Sequence, residues 1–135
     1  MPSSLPPAFQ WAKQAVGLAR ADVSRDFPAK EMAWDAQDAT DGGEKLQLTQ
    51  RALEYYPYCV SAWSVLGYYC LFEEKNLQAS IEAFQTGMEA ARRVDPTLVP
   101  ERTEPLEWSF VDNRPYLRVV SGLAQTSNWN SGVIS

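Results

Sequence analysis

Apolar residues recur at steps of three and four along most of the chain, which is the spacing of one face of an α-helix. The pattern predicts about six helices and therefore an all-α fold. The second helix begins at Asp26 and the fifth begins after Asn76. The others are expected at Pro7–Arg25, Glu44–Tyr56, Val60–Glu73 and Pro115–Thr126.

The first predicted helix carries one apolar stripe, so it is expected to pack on the other helices. It holds only three basic residues, which argues against attachment to a membrane surface. The stripe consists of Phe9, Ala12, Val16, Ala19 and Val23, widened by Trp11, Ala15 and Leu18.

Turn-forming residues separate the predicted helices. Asp41-Gly42-Gly43 breaks the chain before the third helix, Pro57 does so before the fourth, and Asn76 is a good N-cap for the fifth. Inside the fourth helix, Gly67 costs up to about 1 kcal/mol relative to alanine. Its presence predicts the close approach of a neighbouring helix.

The pattern changes after Asp95. Prolines at positions 96, 100 and 105 exclude a continuous helix, while Leu106, Trp108 and Phe110 alternate with polar residues. We expect an extended connection, residues 97–112, that lays Trp108 and Phe110 over a groove or a helix end. The segment Asn128–Gly132 is typical of a turn, so residues 113–135 are expected to form an incomplete last hairpin.

The stretch from Ala52 to Pro96 resembles the tetratricopeptide repeat (TPR), a helical hairpin of about 34 residues. Pro57 is taken as the proline that closes one repeat. Phe84 then lies one residue late and Pro96 five residues late, which predicts a longer second helix in the next repeat. The positions that match are Trp63, Leu66 and Gly67 on its first helix and Ala79 on its second.

A second resemblance follows the repeat. The block Asn113-Arg114-Pro115-Tyr116-Leu117-Arg118 is similar to one carried by some bacterial TPR-like proteins and by a eukaryotic tumour-suppressor family. We interpret Arg114 and Arg118 as tying the Trp108 segment to the sixth helix by bonding carboxylates such as Glu107 or backbone carbonyls. Docking of an anionic partner is the alternative, and the acidity of the chain argues against it.

The resemblance implies antiparallel helical hairpins stacked as a short right-handed superhelix in one domain. Its parts are an N-terminal helix (1–25), a degenerate first repeat (26–59), a second repeat (60–96), the extended connection (97–112) and the incomplete last hairpin (113–135).

The same resemblance implies a protein–protein interaction scaffold whose concave groove is lined by the first helix of each repeat. The chaperone-binding subclass uses lysines and asparagines there, but here only Lys30 has that character, and Trp34 and Tyr68 are aromatic. The expected partner is a hydrophobic or extended segment of another protein, or of this chain. The groove residues are Phe27, Lys30, Trp34, Gln37 and Asp38, then Ser61, Ser64, Tyr68, Leu71 and Phe72.

Two other functions stay open. The incomplete hairpin is compatible with a structural or regulatory part of a larger enzyme or assembly. A small-molecule sensor would use an aromatic pocket around Trp34, Tyr68 and Trp108. We also predict an apolar end face that favours self-association, so a homodimer is possible; its residues are Leu117, Val120, Leu123 and Trp129.

Composition narrows the chemistry. The 135 residues include no histidine, which removes the commonest general base and metal ligand, and no phosphate-binding glycine loop is present. We therefore predict no enzyme activity, no cofactor and no metal. A net charge of −5 argues against binding to nucleic acid.

The predicted location is the cytoplasm. The first residues lack the pattern of an export signal, and no apolar run approaches the ~20 residues of a membrane span. Cys59 and Cys70 are expected to be reduced thiols, with Cys70 on a buried face.

Overall fold

The computed structural model describes residues 5–18, 22–94 and 114–130, with only the backbone of residues 23, 114–117 and 127–130. Within these ranges the fold is all-α, with six α-helices, one short 3₁₀ turn (Val23–Arg25) and no strand. The helices are α1 Pro7–Leu18, α2 Asp26–Asp38, α3 Gly42–Tyr55, α4 Val60–Phe72, α5 Leu77–Val94 and α6 Arg114–Asn130.

The starts of α3 and α5 are fixed by side-chain caps. Asp41 accepts a hydrogen bond from the backbone N–H of Glu44 at 2.9 Å, so α3 begins at Gly42, two residues before the predicted start. The Asn76 side chain accepts one from Ala79 at 3.2 Å, which confirms the predicted cap of α5.

The first helix is shorter than predicted. It ends at Leu18, and after residues 19–21, which lie outside the described residues, the chain forms a separate turn before α2. Asp22 causes this turn, because its carboxylate accepts bonds from the N–H and the hydroxyl of Ser24, at 3.2 and 2.6 Å. Such local side-chain bonds compete with helix formation.

The last helix is longer than predicted, since α6 continues through Asn130 and the expected turn at 128–130 is helical instead. No glycine or proline interrupts the chain between Leu123 and Asn130, so nothing there forces the helix to end. The extended connection predicted for residues 97–112, with Trp108 and Phe110, lies outside the described residues.

Helix α4 lies at the centre of the fold and packs against α2, α3, α5 and α6. Short connections join α2 to α3 and α4 to α5, so each of these pairs is antiparallel. The α4 positions that match the repeat are buried, and so is the cysteine predicted to lie on a buried face. They are Trp63, Leu66, Gly67 and Cys70.

Helix α1 covers one side of the core with Phe9, Ala12 and Val16, as predicted. The buried hydroxyl of Tyr58 donates to the carbonyl oxygen of Val16 at 2.8 Å and holds the end of α1 against the domain. Trp11 and Leu18 were expected to widen the buried stripe, and this was wrong: Leu18 is 88% exposed. Trp11 and Leu18 lie seven residues apart, on the face of α1 opposite to the buried stripe.

Phe84 joins three helices. Its ring is fully buried on α5 and lies between Gly67 of α4 and Gly122 of α6. A β-carbon added to Gly67 would lie 2.5–2.7 Å from three ring atoms, and one added to Gly122 would also overlap the ring. The Ser80 hydroxyl adds a bond to the carbonyl of Gly67 at 2.9 Å. The predicted close approach at Gly67 is therefore confirmed.

One residue between α4 and α5 has a left-handed backbone. Lys75 has φ of 53° and an exposed side chain. Because glycine reaches this conformation without a steric penalty, Lys75→Gly is expected to raise the free energy of unfolding by about 0.5–1 kcal/mol. Urea unfolding measures the change. Lys75→Ala is the control and should have little effect; a destabilised Lys75→Gly protein would contradict the prediction.

Among the described helices, none is both long enough and apolar enough to cross a membrane.

Candidate functional site

A groove with a volume of about 400 Å³ runs beside α4, between the end of α2, the start of α3 and the first part of α6. It combines aromatic rings, charged groups and neutral polar groups. Its lining consists of Gln37, Lys45, Ser64, Val65, Tyr68, Tyr69, Phe72, Glu73 and Arg118.

Two stacked rings form the aromatic wall of the groove. Tyr68 and Phe72 have ring centroids 6.0 Å apart and an angle of 3° between their planes. Tyr68 is half-buried. Its ring packs against the Phe84 ring in a T-shaped arrangement with the ring centroids 5.0 Å apart, and its hydroxyl donates to the Arg118 carbonyl at 3.0 Å. Phe72 is 52% exposed. Tyr68 is therefore held by the fold, and Phe72 offers the open apolar surface.

A second aromatic pair lies on α2. Phe27 is 60% exposed and Trp34 is 36% exposed. Their rings pack edge to face, with the ring centroids 6.2 Å apart. Trp34 precedes the groove residue Gln37 by three positions, so both lie on one face of the helix. This face extends the apolar surface beyond the groove itself.

The charged groups of the groove come from three elements. Lys45 of α3 lies 4.0 Å from the Glu73 carboxylate after α4, while Arg118 comes from α6. Within the described part of the chain, no hydrogen bond or ion pair reaches the Arg118 guanidinium. Desolvation, followed by the charge of Glu74, raises the pKa of Tyr69, so its phenol stays protonated near neutral pH.

Five of the ten predicted groove residues are at least partly exposed and either line the groove or lie on the α2 face that leads into it: Phe27, Trp34, Gln37, Tyr68 and Phe72. Lys30 is turned to its own helix, where its ammonium group lies 3.1 Å from Asp26. Asp38 is exposed and borders a separate depression.

The remaining three predicted groove residues are buried. Ser61, Ser64 and Leu71 are at most 3% exposed, so a partner reaches at most the edge of Ser64, which touches the cavity. The Ser64 hydroxyl donates to the carbonyl of Ser61 at 2.8 Å and so satisfies the helix rather than a ligand. Their burial follows from the central position of α4, which is packed by four other helices.

Sequence reasoning missed several lining residues. Lys45 was overlooked because groove positions were assigned only to the first helix of each repeat. Arg118 was noticed as part of the block at residues 113–118, but its position beside Tyr68 depends on how α6 packs across α4. Val65 and Tyr69 follow Ser64 and Tyr68 directly, and the sequence analysis assigned neither of them to a surface.

The predicted end face is partly covered by the chain itself. Val120 and Leu123 are half-buried and pack against a cluster that contains Phe84 and Met88. The side chains of Leu117 and Trp129 lie outside the described residues. Self-association through this face stays a prediction.

Both cysteines are free and buried. Burial raises the pKa of Cys59 to about 12 and that of Cys70 to about 12, so both are inert thiols near neutral pH. In the ranges that the structure describes, no group of three or more possible ligands is placed to hold a metal ion.

Comparison of the chain with protein-family models, with curated proteins and with solved structures finds no match.

Proposed function

We propose that this chain is a non-catalytic, TPR-like scaffold that binds a peptide segment of another protein in the groove beside α4. The observation that carries the proposal is the exposed face of Phe72, stacked on a Tyr68 ring that the fold holds in place. A rigid aromatic surface binds a partner with little loss of side-chain entropy.

The surroundings of the groove support a protein partner. The exposed rings of Phe27 and Trp34 lie on the face of α2 that leads into the groove through Gln37. A small molecule needs enclosure, whereas this surface continues outside the cavity and suits an extended segment. Free, buried thiols fit a reducing compartment, so we place the protein in the cytoplasm.

The test is selection of binding peptides from a random displayed library, followed by calorimetric titration of the best peptide. Phe72→Ser is expected to weaken binding at least about tenfold, because it removes the open half of the aromatic wall. Its melting temperature should change little, since much of the ring is exposed.

Leu18→Ser is the matched control. It also removes an exposed apolar side chain, but on α1 and away from the groove. It should leave the affinity unchanged. Equal losses in both variants, or a selection that yields no binding peptide, would contradict the proposed function.

A further inference from the structure

Arg118 differs from the other cations of the domain in its surroundings. The described residues contain four half-buried lysine and arginine side chains: Lys30, Lys45, Arg92 and Arg118. The first three lie within 4.0 Å of carboxylates of Asp26, Glu73 and Glu89. For Arg118, no such partner is found in the described part of the chain.

A half-buried guanidinium without a partner has lost some of its hydration and gained no ion pair. A carboxylate that reaches it forms a charge-assisted hydrogen bond, in the best case with two parallel N–H donors. The lining of the groove favours this choice of ligand, because it holds two cations, Lys45 and Arg118, against one anion, Glu73. This local charge of +1 contrasts with the net charge of −5 of the whole chain.

The cation and the aromatic wall are adjacent. The Tyr68 hydroxyl bonds to the Arg118 backbone at 3.0 Å, and the open face of Phe72 stacks on the Tyr68 ring. Phe72 and Arg118 both line the groove, so a ligand that fills it lies beside an aromatic side chain and a cationic residue.

We propose that the groove selects an extended peptide in which an acidic side chain lies next to an aromatic one. The aromatic side chain packs on Phe72, and the carboxylate pairs with the Arg118 guanidinium, with Lys45 nearby. This inference rests on the proposed function and adds the chemical identity of the bound segment.

The test uses four short, amidated, fluorescein-labelled peptides in a glycine–serine background, measured by fluorescence anisotropy. One carries tryptophan and glutamate side by side, the second tryptophan and glutamine, the third tryptophan and lysine, and the fourth neither. The glutamate peptide is expected to bind about tenfold more tightly than the glutamine peptide, with a difference that shrinks in high salt.

Arg118→Gln should abolish the difference between the glutamate and glutamine peptides, and Arg118→Lys should restore part of it. Arg51→Gln is the control, because Arg51 is exposed on α3 and does not line the groove. Melting curves establish that each variant is folded. A preference for glutamate that survives in folded Arg118→Gln would overturn the assignment to Arg118.

The outcomes separate this inference from the proposed function. Equal binding of all three tryptophan peptides, or tightest binding of the lysine peptide, overturns the inference and leaves the proposed function standing. No binding by any of the four peptides overturns the inference, and the selection from the random library then decides the proposed function separately. If phenylacetate binds as tightly as the glutamate peptide, the ligand of the groove is a small aromatic acid. That outcome would overturn the proposal that the groove selects a peptide.

The chain's own sequence contains the same pair, Glu107-Trp108, outside the described residues. The variant Glu107→Gln/Trp108→Ser therefore tests for occupation by the chain itself. If its affinity for the glutamate peptide rises about tenfold, the natural occupant is this segment, and the proposal of a second protein is overturned. An unchanged affinity supports the proposal.

Discussion

Phe84→Ala is expected to lower the free energy of unfolding by about 3–5 kcal/mol, the range for truncation of a buried aromatic side chain. The ring is fully buried where α4, α5 and α6 meet, and it contacts the Tyr68 ring that forms the aromatic wall of the groove. Urea unfolding measures the loss. A loss below about 1 kcal/mol would show that this junction contributes little to stability.

A second large effect on stability is expected at Gly122, which also contacts the Phe84 ring. A methyl group at this position overlaps the Phe84 ring, so Gly122→Ala should cost about 2 kcal/mol in the natural protein despite the better helix propensity of alanine. In the Phe84→Ala background the clash is gone, so the same change should be neutral or stabilising by up to about 1 kcal/mol.

In a double-mutant cycle, the loss of stability caused by Gly122→Ala should therefore disappear or become a gain when Phe84 is replaced by alanine. If Gly122 and Phe84 acted independently, Gly122→Ala would have the same effect in both backgrounds. Gly43→Ala is a suitable control, since Gly43 is exposed at the start of α3 and its nearest neighbour is the side chain of Asp41. Its effect should be the same in both backgrounds. An additive cycle for Gly122 would contradict the contact with Phe84.

The helices could be predicted from sequence because their signals are local. The apolar spacing located all six, and the break at Asp41-Gly42-Gly43 and the cap Asn76 placed two helix starts within two residues. Trp63 was a match to the repeat, and the close contact at Gly67 followed from the cost of a glycine inside a helix. The predicted first helix was too long because side-chain bonds of Asp22 form a separate turn, and the predicted last helix was too short because no residue forces α6 to end before Asn130.

The candidate site was predictable only in part, because its geometry depends on packing between distant segments. The resemblance to the repeat assigned Trp34 and Phe72, whose rings are exposed, to the groove. Arg118 reaches the groove through a contact with Tyr68 that spans fifty positions in sequence, and no local pattern encodes it. Ser61 and Leu71 were misassigned because the repeat register gives a face of α4 but not the number of helices that cover it.

Stability is expected to fall steeply as the pH rises above about 9, because two buried thiols resist ionisation. Burial raises the pKa of Cys59 from 9.0 to about 12, and burial followed by the charge of Glu74 raises that of Cys70 to about 12. In the unfolded chain both thiols lose their protons near pH 9. Between pH 9 and 12 the folded protein therefore binds more protons, and its free energy of unfolding decreases as the pH rises.

The slope for Cys59 alone is about 1.4 kcal/mol per pH unit, and Cys70 adds to it with the same sign. Burial also raises the pKa of Tyr56 from 10.0 to about 12, so the loss steepens above pH 10. Below pH 9 the thiols are protonated in both states and contribute no slope. Urea unfolding under reducing conditions, at steps between pH 7 and pH 10.5, measures the dependence.

The control is Cys59→Ala/Cys70→Ala, which keeps Tyr56 and every lysine but removes both thiols. Truncation of buried side chains lowers its stability at every pH, so the comparison uses the slope rather than the absolute value. Between pH 9 and 10 the natural protein should lose stability faster than the double variant by at least about 1 kcal/mol per pH unit. Parallel curves would mean that the thiols ionise as readily in the folded state as in the unfolded one, which contradicts their burial in the core.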